Sequence, residues 1–242
     1  MLAWLVVACV AGLAGFSQGL TGFGFALVFT PIASLVLPPR QVVVAALLIG
    51  GLMTAALWWE ARRQFSFARM WPLVAAGMIS TPVGSALLVI TGSEVLRGVI
   101  TALAVAFAVA LLFSRPHHFV HESRALAIVG AAGGFLNGST SMGGGLPALV
   151  LVNQGWTVGS ARSGLLTFNL ASYLVAVATS AAFGLLNTAA AVSLAFVPVA
   201  VAGAFGGSFA SRHISQRAFY RALVGTVACT SVAGLVAYLI HA

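Results

Sequence analysis

Two apolar stretches of this chain, at about 2–37 and 125–152, are too long to cross a membrane as single helices. Each is interrupted by glycines and small polar residues, GFSQGLTGFG at 15–24 and GFLNGSTSMGGG at 134–145. A continuous helix over the first stretch would measure about 54 Å at 1.5 Å per residue, against a hydrocarbon core of about 30 Å. Each stretch therefore reads as two short helices meeting at a break. Six further apolar runs follow the same grammar, at about 41–59, 70–91, 95–113, 163–183, 187–209 and 219–240, separated by charges and turn residues. With 61% apolar and 6% charged residues in 242, the chain lies far from the roughly 45–50% and 25% of soluble domains. A soluble enzyme is excluded, and so is a disordered chain, which needs low hydrophobicity and high charge. The expected fold class is an all-α polytopic membrane protein of some eight to ten membrane segments, surrounded by the lipid bilayer and with almost no extramembrane domain.

The chain has 11 Arg, three Glu, no Lys and no Asp, for a formal net charge of +8. In a soluble protein that balance points to nucleic acid. Here the arginines are dispersed through short connections, where basic residues mark the cytoplasmic side of a membrane, and no nucleic-acid partner is expected. Cys9 and Cys229 sit inside apolar runs without a second ligand at metal spacing, and read as small buried hydrophobes. MLAWLVVACVAGLAG lacks the basic start of a signal peptide, so it is expected to remain as the first membrane segment.

The two interruptions match when the second is shifted back by 119 positions. The shift pairs Gly15 with Gly134, Phe16 with Phe135, Gly19 with Gly138, Thr21 with Thr140, Gly24 with Gly143 and Leu27 with Leu146. Leu47-Leu48 then pairs with Leu165-Leu166 at 118, and Gly84-Ser85 with Gly207-Ser208 at 123. This is an internal repeat, with a first transmembrane repeat at 1–113, a linker at 114–124 and a second repeat at 125–242.

The placement of charge then orients the halves. If every run crossed once, the arginines would divide almost evenly between the two faces. If each broken run enters and leaves on the same side or crosses twice, nine arginines (62, 63, 69, 115, 124, 162, 212, 217 and 221) share one face, opposite Arg40 and Arg97. The positive-inside rule favours that arrangement. Each half then has an odd number of crossings, so the second is inverted. The expectation is two inverted repeats of about five helices, each opening with a broken Gly-rich helical hairpin, a cytoplasmic linker and both termini outside.

Irregular backbone at membrane depth survives only where it is buried in protein or lines a cavity. Two facing breaks would enclose a polar site near the midplane, with the positive ends of half-helices suited to an anion. Candidate substrate-binding residues are Gln18, Gly19, Thr21, Gly22 and Gly24 in the first break, and Asn137, Gly138, Ser139, Thr140, Ser141 and Gly143 in the second. Asn169, the amide of the sixth run, is a further candidate for substrate or for a neighbouring helix. Close helix packing is the competing account of the glycines. Arg97 and Arg162 are candidates to attract an anion, with snorkelling to headgroups as the alternative. Glu60, Glu94 and Glu122 all lie at run ends or in loops, which argues against a cation relay built on intramembrane carboxylates. His117, His118 and His121 read as a solvated loop.

No nucleophile elbow, H-E-x-x-H motif or paired carboxylate is present, so no enzyme, metal or cofactor is expected. An anion channel, another small-anion or organic-acid permease, and a non-transporting scaffold are the alternatives to a transporter.

The segments GFSQGLTGFGFALVFTPIASLVLPPRQVVVAALL (15–48) and GAAGGFLNGSTSMGGGLPALVLVNQGWTVGSARSGLLTFNLASY (130–173) resemble the TauE/SafE sulfite exporter family, also described as a sulfonate uptake permease family. The shared pattern is a Gly-rich polar kink, an apolar run with Pro, a basic turn and a helix with a Leu-Leu pair in each half, the second of the form A/S-x-x-x-L-L. The resemblance implies a multi-pass transporter of the bacterial inner membrane carrying sulfite or organosulfonates, with the substrate site at the kinks. A homodimer is left open. Phe23 and Phe25 interleave the glycines of the first kink, where the family pattern is richer in glycine. With Met142 they would suit an organic substituent.

Overall fold

Proline and small polar side chains set the helix boundaries. Pro39 opens a helix at its first position, where a missing N–H costs nothing. The Thr157 hydroxyl accepts the Ser160 N–H at 3.3 Å, and Asn187 Oδ1 accepts that of Ala190 at 3.1 Å, each capping the helix that follows. A computed structural model describes residues 2–64, 66–113, 121–154, 156–211 and Gly225. Its helices are α1 (Leu2–Thr21), α2 (Phe25–Ala33), α3 (Pro39–Ala61), α4 (Phe67–Ile90), α5 (Ser93–Leu112), α6 (Glu122–Thr140), α7 (Gly145–Asn153), α8 (Val158–Ala182), α9 (Thr188–Ser193) and α10 (Val197–Ser211). There is no strand among the described residues. Most of the run at 219–240, with Cys229, lies outside them.

Among the described residues, six helical stretches are long and apolar enough to cross a membrane: Trp4–Thr21, Pro39–Ala61, Phe67–Ile90, Ser93–Ala110, Val158–Ala182 and Thr188–Ser211. The chain is a multi-pass membrane protein. By contrast α2 and α7 have nine residues each, about 14 Å, half the depth of the hydrocarbon core. The run at 187–209, read from sequence as one segment, is interrupted by a 3-10 turn at Leu194–Phe196. Pro198 cannot supply the N–H that the Leu194 carbonyl would take in an α-helix, and the Val197 N–H bonds to it instead.

Large apolar side chains cover the outside. Ile79 and Ile90 are 77% and 79% exposed, as expected where the solvent is lipid. Cys9 lies on that surface rather than in the interior. It shares one stripe of α1 with the exposed Leu5, Leu13 and Phe16, at helical spacing of three and four residues.

The two most extensive helix contacts are α4 with α6 and α1 with α10. Both are seams of glycine against backbone. A Cβ at Gly15 or Gly19 would run into the carbonyl oxygens of Ala200 and Ala204, and one at Gly134 or Gly138 into those of Gly77 and Thr81. From the other side, Gly207 abuts the Phe16 carbonyl and Gly84 that of Phe135. These positions correspond under the offsets of 119 and 123, so α1 meets α10 as α6 meets α4. In lipid, where no apolar driving force separates helix from tail, such backbone approach is what holds helices together.

Contacts at the helix ends show how each broken pair runs. A small cavity lined by Trp4, Val7, Phe29, Leu37 and Gln41 brings the start of α1 beside the end of α2 and the start of α3. Similarly, Trp156, just after α7, donates from Nε1 to Glu122 Oε1 at the start of α6, 2.8 Å. Arg69 at the start of α4 pairs with the same carboxylate at 2.8 Å and lies over the Trp156 ring.

Candidate functional site

The two breaks are built alike, with one contact displaced by a residue. Gly22 (φ +90°) ends α1 and Ser141 (φ +62°) ends α6, each in the left-handed region, and they are 119 positions apart. One position earlier, Thr21 Oγ1 donates to the Ser17 carbonyl at 2.8 Å and Thr140 Oγ1 to that of Leu136 at 2.9 Å. Each hydroxyl also accepts the N–H two residues on, of Phe23 and of Met142, at 3.4 Å. Gln18 Oε1 accepts the Phe25 N–H at 3.0 Å, and its counterpart Asn137 accepts that of Gly143 through Oδ1 at 2.7 Å. A side chain on the long helix thus holds an amide where the short helix begins, a group that water cannot serve at this depth. Gln18 further donates from Nε2 to Thr54 on α3, 2.7 Å.

Glycine is required where the chain doubles back. A Cβ at Gly24 would strike Ser17 Oγ, and one at Gly143 the Gly133 carbonyl and the Asn137 amide.

Asn169 joins the breaks. On α8, it donates from Nδ2 to the Gly22 carbonyl at 3.3 Å and accepts from Asn137 Nδ2 at 3.4 Å. Thr30 of α2 shares a hydrogen bond with Ser141 across the interface, Oγ to Oγ 2.8 Å, and the Tyr173 hydroxyl reaches the Ser141 carbonyl at 3.5 Å. A Cβ at Gly144 would lie 3.0 Å from that of Phe23 and 2.9 Å from the Asn169 amide, so the breaks touch directly. The amides Gln18, Asn137 and Asn169 are all 0% exposed. Their hydrogen-bonding capacity turns inward, and the site is closed in this structure.

The candidate residues do not all converge. Gly22, Asn137 and Asn169 are linked across the contact between the breaks, and Ser141 reaches Thr30 there, whereas Gln18, Thr21, Gly24, Thr140 and Gly143 each hold their own break together. Gly19 and Gly138 face the packing seams instead, and Ser139 lies beside Gly138 against α4, its backbone nitrogen 3.0 Å from where a Cβ of Gly84 would stand. Ser139 and Thr140 belong to the last turn of α6, and the break proper is Ser141–Gly144. Arg162 comes to the first break, donating from Nε to the Gly19 carbonyl at 3.0 Å, with its stem against Gly22. Arg97 lies elsewhere, at a cavity of about 460 Å³ formed with Leu35–Pro39 and Ser93. Sequence reading missed Thr30, Thr54 and Tyr173. Their signal is a polar group inside an otherwise apolar run, weak because a lone hydroxyl in a helix usually bonds its own backbone.

The chemistry assembled is neutral amides, hydroxyls and peptide groups with one guanidinium alongside, and none of these residues is a carboxylate. Such a set hydrogen-bonds an anion without a competing negative charge. No curated protein and no solved structure matches the chain. A family model described as the sulfite exporter TauE/SafE matches residues 7–234 and takes in both breaks, α8 and both glycine seams. On that match over nearly its whole length, this chain belongs to the TauE/SafE sulfite exporter family, a family of membrane transporters.

Proposed function

We propose that the protein transports a small sulfur-containing anion, sulfite or an organosulfonate, by alternating access around a midplane site at the two helix breaks. The observation that carries this reading is Asn169, whose single amide is bonded to both breaks. In this closed state the breaks satisfy one another. An anion would take over as acceptor for donors such as Asn137 Nδ2, Asn169 Nδ2, and the Thr30 and Ser141 hydroxyls. Arg162 adds positive charge at one edge, while Phe23 and Met142 offer apolar surface to an organic substituent.

The halves, 1–113 and 125–242 about the linker 114–124, are read as inverted repeats, each opening with a Gly-rich hairpin. The end contacts support this. The α1–α2 pair begins and ends beside Gln41, whereas α6–α7 begins and ends beside Arg69, at opposite ends of α3–α4. One half rocking against the other would expose the site alternately, on a membrane of bacterial inner-membrane polarity. Export needs no coupling ion, because a cytoplasm-negative potential drives a monovalent anion outward with about 2.3 kcal/mol per 100 mV.

Thr30→Val combined with Ser141→Gly removes both hydroxyls while glycine keeps the left-handed backbone at 141. Losing hydrogen bonds to a charged group, about 1.5–3 kcal/mol each, should lower flux at least about tenfold in vesicles tested with sulfite, thiosulfate, sulfoacetate and taurine. Wild-type flux in the folded double variant removes this pair from the site. Flux of none of the four anions by the wild type rejects the transport reading. For topology, His117→Cys in the linker is expected to react with membrane-impermeant thiol reagents only from the cytoplasmic side; labelling from outside would invert the arrangement.

A further inference from the structure

Arg40 stands apart from the basic face and from the helix breaks. At the start of α3, its Nη2 donates to the carbonyls of Val89, 2.9 Å, and Thr91, 2.8 Å, at the end of α4. Two neutral acceptors at the negative end of a helix dipole fix the guanidinium in place, and among the described residues its charge has no carboxylate counter-ion. Glu94, three residues past Thr91, is exposed and forms no ion pair with it among the described residues.

Beside Arg40 lies a cavity of about 170 Å³ between α3 and the α8–α9 connection, walled by Gln41, Val44, Leu185 and Asn187. A tetrahedral oxyanion, on the order of two or three waters in size at about 30 Å³ each, fits this volume. The polar lining is an arginine and two amides, with no carboxylate. Asn187 spends its Oδ1 on the Ala190 N–H, which leaves its NH₂ as a donor. Val44 and Leu185 supply low-dielectric wall, where a cation attracts an anion more strongly than in open water.

We infer that this cavity is a second oxyanion site, in which the Arg40 guanidinium with the Gln41 and Asn187 amides takes a small sulfate- or sulfonate-type anion or the phosphate of a lipid headgroup. Its position places it at the end of α3 and α4 remote from Arg62 and Arg69, a station outside the buried breaks. Binding here is measurable whether or not the breaks carry substrate.

The test uses the full chain with Cys9→Ala and Cys229→Ala, and Leu185→Cys on the apolar wall of the cavity as the reporter. N-ethylmaleimide labelling is timed with and without sulfate at constant ionic strength, in nanodiscs of a phosphate-free neutral galactolipid and of phosphatidylglycerol. The expected result is about fivefold slower labelling when the site is filled, the factor one charge pair gives in a water-like medium, and loss of that protection in Arg40→Gln. Arg40 also ties α3 to α4, so Asn187→Asp is the second variant. It keeps the helix cap but puts a negative charge into the cavity, and should abolish protection in a protein whose thermal unfolding is unchanged. Protection by sulfate in both lipids identifies a soluble oxyanion, and protection by phosphatidylglycerol alone identifies the headgroup phosphate; both support the site. Protection by neither, or protection that survives both variants, overturns it.

Discussion

Gln18→Leu is expected to destabilise the protein by about 2–6 kcal/mol and to remove transport. The leucine fills similar space but strands two buried groups, the Phe25 N–H and the Thr54 hydroxyl, at about 1–3 kcal/mol for each unsatisfied partner. Water cannot relieve them at membrane depth. The counterpart Asn137→Leu strands the Gly143 N–H and takes a donor from Asn169, and should cost a similar amount. Denaturation of the purified protein in SDS measures the loss. Hydrogen exchange localises it: the Phe25 amide should exchange faster in Gln18→Leu and the Gly143 amide in Asn137→Leu. Unchanged exchange at those amides would show that the side chains do not hold the short helices.

Gly19→Ala and Gly138→Ala form the second large effect, and its sign runs against helix propensity. Within a helix, alanine is favoured over glycine by about 1 kcal/mol. At both positions the added methyl would occupy the place of a backbone carbonyl oxygen, that of Ala204 and of Thr81 respectively, which no rotamer change can clear. The helices must separate along the whole seam, so a net loss of about 1–3 kcal/mol or more is expected, as for overpacking. Gly98 on α5 is the internal control, with nothing within 4 Å of its Cβ position. There alanine should be neutral or stabilising by up to about 1 kcal/mol. Equal responses at positions 19, 138 and 98 in SDS denaturation would refute the seams.

On the proposed mechanism these seams would bear on transport as well as stability. In each of them a broken helix packs on a helix whose sequence partner lies in the other half, so rocking of one half against the other would slide or part these surfaces. Glycine against carbonyl offers little side-chain interdigitation to resist sliding. The Arg69–Glu122–Trp156 cluster and the Arg40 contacts with α4 tie opposite ends of the same assembly.

The all-helical class, the membrane setting and the location of both breaks were legible in the residues, because they rest on local and additive effects. Too few charges cover a water-exposed surface, and GLTGFG or STSMGGG makes poor helix. The offset of 119 likewise pointed to paired positions, among them Gln18 with Asn137 and Gly22 with Ser141. What each glycine does was not legible. Gly19 and Gly24 are five residues apart in one motif, yet Gly19 admits a neighbouring helix and Gly24 lets the chain fold back on Ser17; only the position of α10 separates the two roles. Thr30 and Tyr173 gave no periodic signal, since a single hydroxyl in an apolar run is ordinary, and their reach to Ser141 depends on how two distant segments meet. Asn169 was visible as a lone amide in the sixth run, but its bonds to Gly22 and Asn137 span 147 and 32 residues of sequence. Sequence alone determined where the helices had to break, because backbone strain and solvation act within a few residues. Which polar groups those breaks share was decided by tertiary packing, because a hydrogen bond needs its partner within about 3 Å, whatever the distance along the chain.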